Sequence, residues 1–444
     1  MTAHRNMNAR QIRSSVGRPT SKQLIVGLAA LLGATTWAGT AQALGPGEGS
    51  RPETVKTAAC RTSDFLAGTS RASAQGVVTL QLAAGCSYAL SMTDSTTNGV
   101  LAITGSLTVD GNGASIVGPS PSDSAGCSRI FDVAAGGSLT LIDVTVEGGN
   151  TACPPTGASG LGTNDGAGIL IQPGGSARLE RTVVTNNKSG GNGGGIANFG
   201  TTTLVDSTVS NNTAHRNGGG IYQGAGQLNV LNSRIDGNAA RKGVGGGVAA
   251  EGGQTVVSGS TIHANSAGSD GGGVAASGTS TTVRVESTNL TGNTADGTGG
   301  GINNRQVGSF SFHDGTVSRN KAGGNGGGIH SADSPMLIER SRISANVTTG
   351  DGGGVATEAA ANLATNVAVY DSTVSSNLAV GPSSRGGGIY NHGTRLLLRK
   401  DLVMFNISRL PAGGVDNARG RVVLEDTSIF INSPTNCRGV PFCS

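Results

Sequence analysis

Val209-Ser210-Asn211-Asn212-Thr213-Ala214-His215-Arg216-Asn217-Gly218-Gly219-Gly220-Ile221 is one of ten variants of a pattern that recurs through a 444-residue chain. An aliphatic residue is followed three positions later by Asn, then by a glycine triplet and a second aliphatic. That second aliphatic forms the column Ile169, Ile196, Ile221, Val248, Val274, Ile302, Ile329, Val355, Ile389 and Val415, at spacings of 27, 25, 27, 26, 28, 27, 26, 34 and 26 residues. A fixed period in this range marks a stacked array of small units, each unable to bury its apolar face alone.

The Asn column runs Asn187, Asn212, Asn238, Asn265, Asn293, Asn320, Asn346, Asn377, Asn406 and Asn432. Five residues before each preceding aliphatic stands a third apolar column, from Leu179 and Leu204 to Leu398 and Leu424. Apolar and polar residues alternate between these positions, the period of a strand with one buried face. Enrichment in Val and Ile with glycine punctuation excludes helical repeats. The expected fold is an all-β, right-handed, single-stranded parallel β-helix of about twelve coils, three short strands to a coil. The asparagines read as inward ladders that tolerate left-handed dihedrals, and a patchier set, Asn198, Asn304, Asn391 and Asn417, reads the same way. The glycines read as turns, because no Lys-Ser or Lys-Thr follows to make a phosphate loop.

Residues 1–43 carry Arg5, Arg10, Arg13, Arg18 and Lys22 with no acid, then the apolar run Leu24–Leu32 and Ala41-Gln42-Ala43. This is the pattern of a secretory signal, too short in its apolar part to span a bilayer. Its removal leaves 26 basic against 27 acidic residues. A nucleic-acid footprint is thereby excluded, and no membrane span is expected. Residues 44–100 read as a leader and N-terminal cap, flexible to about residue 59, with a short helix from Thr62 to about Gln75 over the first open edge. Residues 101–433 form the β-helix, and 434–444 a C-terminal disulfide loop. All six cysteines follow the signal. Nearest-neighbour pairing would join Cys60 to Cys86, Cys127 to Cys153 and Cys437 to Cys443, as suits an exported protein. No Cys/His spacing fits a metal site.

The GGGI turns with [VI]xxN, as in Val209, Asn212 and Gly218–Ile221, resemble the GG[AG]I and FxxN repeats of chlamydial polymorphic outer-membrane proteins over about residues 166–432. The stretch with Cys60, Gly85-Cys86-Ser87-Tyr88, Asp110-Gly111-Asn112-Gly113-Ala114 and Arg129-Ile130-Phe131 is similar to uncharacterised exported β-helix proteins of actinobacteria. The resemblance implies a secreted protein, extracellular or loosely wall-associated. The same pectate-lyase-like fold serves polysaccharide lyases and hydrolases, but the Asp-Asp pair and Gly-His-Gly segment of the hydrolases do not occur here, and fold alone does not assign function.

If the chain were catalytic, the strongest candidates are Glu286, His313 and Glu339, which in register would stand on successive coils at about one strand spacing, within general acid/base reach. They belong to an outward stripe that continues through Tyr370, Arg399 and Glu425. Tyr370, Arg399 and Tyr390 are candidate binding residues, Tyr390 from an outward column that includes Ala197, Tyr222, Asn303, His330 and Asp416. Alternating charge is also what stability alone selects in a parallel stack. The sequence therefore favours a non-catalytic, monomeric surface for an extracellular polysaccharide or cell-surface component, with no cofactor; Ca²⁺ would enter only with a lyase. The insertion between Val355 and Ile389 is a further place for contacts.

Overall fold

The computed structural model describes residues 53–57, 59–91, 101–119, 128–152, 164–360 and 365–443, all within one compact unit, Ser50–Ser444. The expected secretory signal, residues 1–43, lies outside the described residues, as do Cys127 and Cys153. The fold is a right-handed parallel β-helix of about 13 coils, in keeping with the expected count of about twelve. Near the N-terminal end, Val77–Gln81 already pairs in register with Ser106–Asp110.

One coil shows how the sequence makes the path. Ile221–Gln223, Gln227–Leu231, Arg234–Asp236 and Ala239–Ala240 are its strands, four rather than the expected three. The fourth has only two residues, because the Asn bend precedes it and the loop to the next glycine turn follows, so it leaves no alternation to read. These short strands form a separate nine-stranded ladder, while the others join one 36-stranded sheet. Pairing is parallel and in register, with Ile196, Ile221 and Val248 directly over one another. As far as Leu398 and Val403, all three apolar columns are fully buried along the stack, and each side chain so buried contributes about 2 kcal/mol of apolar transfer.

The glycine triplet is a consequence of stacking. Gly218 takes φ +67°, and a Cβ on Gly219 would lie 2.4 Å from backbone atoms of Ala239 and Gly246. Only glycine lets the next coil approach this closely, and each N–H of the triplet then donates to a carbonyl of that coil.

The Asn ladder is present. In Asn212 both the main-chain N–H and Nδ2 donate to Asn238 Oδ1, each at 3.0 Å, and Nδ2 also donates to Val184 O at 2.9 Å. The left-handed residue, however, is the one before the ladder: Asn211, Ala264, Arg319, Ala345, Ser376 and Phe405 have φ of 53° to 57° or 58°. The ladder fixes the bend firmly enough to offset the 1–2 kcal/mol that such a residue typically costs without glycine.

A second ladder, of hydroxyls, was not read from the sequence. Ser207, Ser233 and Ser260 each take the N–H of the coil before: Thr182 N–H donates to Ser207 Oγ at 3.1 Å, Ser207 N–H to Ser233 Oγ at 3.0 Å and Ser233 N–H to Ser260 Oγ at 3.0 Å. Asn198, Asn304, Asn391 and Asn417 form a mixed ladder, bonding Gln223, Ser331 and one another.

The ends differ. Helix α1 (Thr62–Gln75) buries Phe65 and Ala72 over the first coils. Gly68 lets it sit against Leu80, where a Cβ would meet Leu80 Cδ1 at 2.4 Å. The leader, expected to be flexible to about residue 59, instead supplies strand β1 (Glu53–Lys56), paired with Val78–Gln81. Cys60 and Cys86 are joined, as are Cys437 and Cys443. Cys437–Arg438 adds a short strand on Val415–Asp416, so residues 434–444 continue the stack as well as closing a loop.

Candidate functional site

The outward stripe is in the expected register: Glu286, His313, Glu339, Tyr370, Arg399 and Glu425 pair coil to coil. The Glu–His–Glu set nevertheless divides. His313 Nδ1 contacts Glu339 Oε2 at 3.1 Å, whereas Glu286 turns to Arg284 Nε at 2.7 Å and takes Ser258 Oγ at 3.2 Å. Arg340 then binds Glu339 at 2.6 Å and forks onto both oxygens of Asp314, at 2.7 and 3.0 Å. The hydrogen bonds from Arg340 hold the Asp314 carboxyl below the usual range. Arg399 lies 4.0 Å over the ring of Tyr370. Each charge of the stripe from Glu286 to Arg399 thus has a partner within the chain.

The neighbouring wall differs from its sequence reading. The column expected to face outward is covered by the glycine turns: Asn303, His330, Tyr222, Tyr390 and Asp416 are all buried. Alternation fails here because every residue of strands such as Ile221–Gln223 is covered, on one side by the core and on the other by the turn. Tyr390 is no open aromatic platform, since its ring stacks on His392 with centroids 6.2 Å apart. Burial pushes its hydroxyl above the ordinary tyrosine range.

Beside this wall opens a cleft of about 490 Å³ lined by Asp270, Arg305, His330, Glu358 and His392, with Ala332 and Ala359 as apolar lining. Asn303 Nδ2 stands 3.0 Å from His330 Nδ1. With the amide nitrogen placed there it donates, leaving the imidazole proton on Nε2. That nitrogen is buried without a well-formed hydrogen bond, 3.4 Å from Glu358 Oε2. His330 first, and then Asn325, pull Glu358 down to about 2 against the cost of burial. Asp270 is spent on Thr298, whose N–H and Oγ1 contact Oδ1 at 2.7 and 2.9 Å, and Asp333 takes the N–H of Ala360 at 2.7 Å. Arg305 and His392 have no ion pair among the described residues.

The His330–Glu358 pair has a counterpart. Near Glu251, Asn217 and Tyr222 occupy the places of Asn325 and His330: Asn217 Nδ2 donates to Glu251 Oε1 at 2.6 Å and Tyr222 to Oε2 at 2.9 Å. A ring and a turn Asn gripping a Glu from the next coil is therefore a device of the wall, used with either Tyr or His. The sequence signal that could have found the cleft is the run of Arg305, Glu358 and His392 three residues after their column aliphatics, where the structure puts them in one register with Ala332.

Among the described residues no group of three or more His, Cys, Asp or Glu could hold a metal ion, and no helix is long and apolar enough to cross a membrane. The family model described as "Right handed beta helix region" matches residues 133–316. No curated protein matches the chain. The match and the coil geometry agree that this is a β-helix repeat protein.

Proposed function

We propose that this chain is exported and works outside the cell as a non-catalytic β-helix that binds an extracellular polysaccharide or a hydroxyl-rich cell-surface component. The observation that carries the reading is the cleft beside the glycine turns. Its carboxylates are largely spent on donors within the chain, Glu358 on His330 and Asn325, while Arg305 and His392 form no ion pair among the described residues. Such a lining offers hydrogen-bond donors to an acceptor-rich ligand, and the remaining carboxylate oxygens can take its hydroxyls. The paired charges of the Glu286–Arg399 stripe support a structural role there, with Tyr370 and Arg399 as a stacked edge a polymer can slide along. The basic, apolar start of the chain and the two disulfides among its described residues support export.

The test is a polysaccharide and glycan-array screen on the full chain, coupled to an assay for new reducing ends and unsaturated products. Arg305→Ala or His392→Ala should weaken binding by roughly tenfold or more, while Glu286→Gln and Glu339→Gln leave it unchanged. Product formation that disappears with Glu286→Gln, His313→Ala or Glu339→Gln would instead make the stripe the active site of a lyase or hydrolase.

A further inference from the structure

The last coil exposes what every earlier coil buries. Leu424 and Ile429 end columns whose preceding members, from Leu179 to Leu398 and from Val184 to Val403, are fully covered, yet both are only partly buried. Around them Phe405, Ile407, Phe430 and Ile431 are 39–63% exposed, which is rare for side chains of this size gathered in one place. Cys437–Arg438 covers only Val415 and Asp416 of the final strand, Val415–Glu425. Its segment Arg421–Glu425 pairs inward with Arg395–Arg399 and has no outer partner among the described residues.

We propose that this end is the contact face of a symmetric dimer between two copies of the chain. The sequence of the open edge, Arg421-Val422-Val423-Leu424-Glu425, is complementary to itself when run antiparallel. Centred on Val423, it sets Arg421 opposite the partner copy's Glu425 on the outer face and Val422 opposite its Leu424 on the inner face. The apolar interior then continues across the junction, as an isologous two-fold contact requires. Charge points the same way, because Arg421 stands directly over Arg395 in its own coil and has no acid there to offset the repulsion. The other end of the stack cannot take this role. Helix α1 already covers the apolar interior there, so head-to-tail growth would leave half of each contact without apolar surface to bury.

Sedimentation equilibrium of the full chain over a wide concentration range tests the proposal. The expected result is a monomer–dimer equilibrium with no larger species. Arg421→Glu or Glu425→Arg alone should weaken it by roughly tenfold or more, since each change acts twice across the two-fold, and the two changes together should restore it. Circular dichroism melts confirm that each variant remains folded, and Glu286→Gln, far from the edge, should associate like the parent. A single-chain mass at every concentration, open-ended growth, or a double variant no better than the single ones overturns the proposal. A monomer that instead co-purifies stoichiometrically with a different protein at this edge also overturns it.

Discussion

Asp401 occupies a position at which most other coils place Ser or Thr in the hydroxyl ladder. It accepts the N–H groups of Ser372 and Arg399 at 2.8 and 2.9 Å, yet burial pushes its carboxyl up to about 7. In the unfolded chain the same group ionises near pH 4. Below that pH both states hold the proton and nothing is lost. Between about pH 4 and 7 only the unfolded state releases it, so stability falls by up to about 1.4 kcal/mol per pH unit, on the order of 4 kcal/mol in all, and levels off above. Asp401→Ser restores the hydroxyl and should therefore raise the urea midpoint at pH 8 far more than at pH 4.5; equal gains at both would refute the assignment. The Asn ladder was legible because Asn recurs at a fixed distance from an aliphatic. The hydroxyl ladder was not, because Ser and Thr also fill the exposed strand positions and its column is broken by Gly315 and Asp401.

At the scale of the element, glycines answer two demands, of dihedral angle and of space, which coincide at Gly218 in the triplet but separate at Gly85, outside any triplet. Gly85 has φ +62° with nothing within 4 Å of a notional Cβ, while Gly219 would press a Cβ into the backbone of the next coil. Gly85→Ala should cost about 1 kcal/mol, the left-handed penalty alone. Gly219→Ala should cost several times more, because two coils must part, and denaturant melts of the two variants would show the difference. The long strands and helix α1 were readable from alternation and a Ser-Asp start. The two-residue fourth strand carries no period. The cleft was hidden for another reason: Asp270 and His392 are far apart in sequence and meet only through the stacking of coils, and the wall that bears His330 is buried on both sides, so alternation gave it the wrong face.

For the whole molecule, the ends needed the structure most. The repeat announces the middle of the stack, but an end is defined by what stops it, and neither β1 nor the short strand at Cys437 belongs to the period. Within the stack, strand pairing joins each coil only to the two beside it, so stability is close to a sum of nearest-neighbour terms. That arrangement has a mechanical meaning. Drawn apart by handles at its two termini in an optical trap, the chain should yield as a staircase, each step releasing roughly 90 Å of contour as one coil strips away. The first rupture should come at the thinly covered C-terminal coil and the last beneath helix α1; a single all-or-none rip would show that the coils fail together. A protein built this way can be shortened under load by one turn at a time and still present an unbroken remainder.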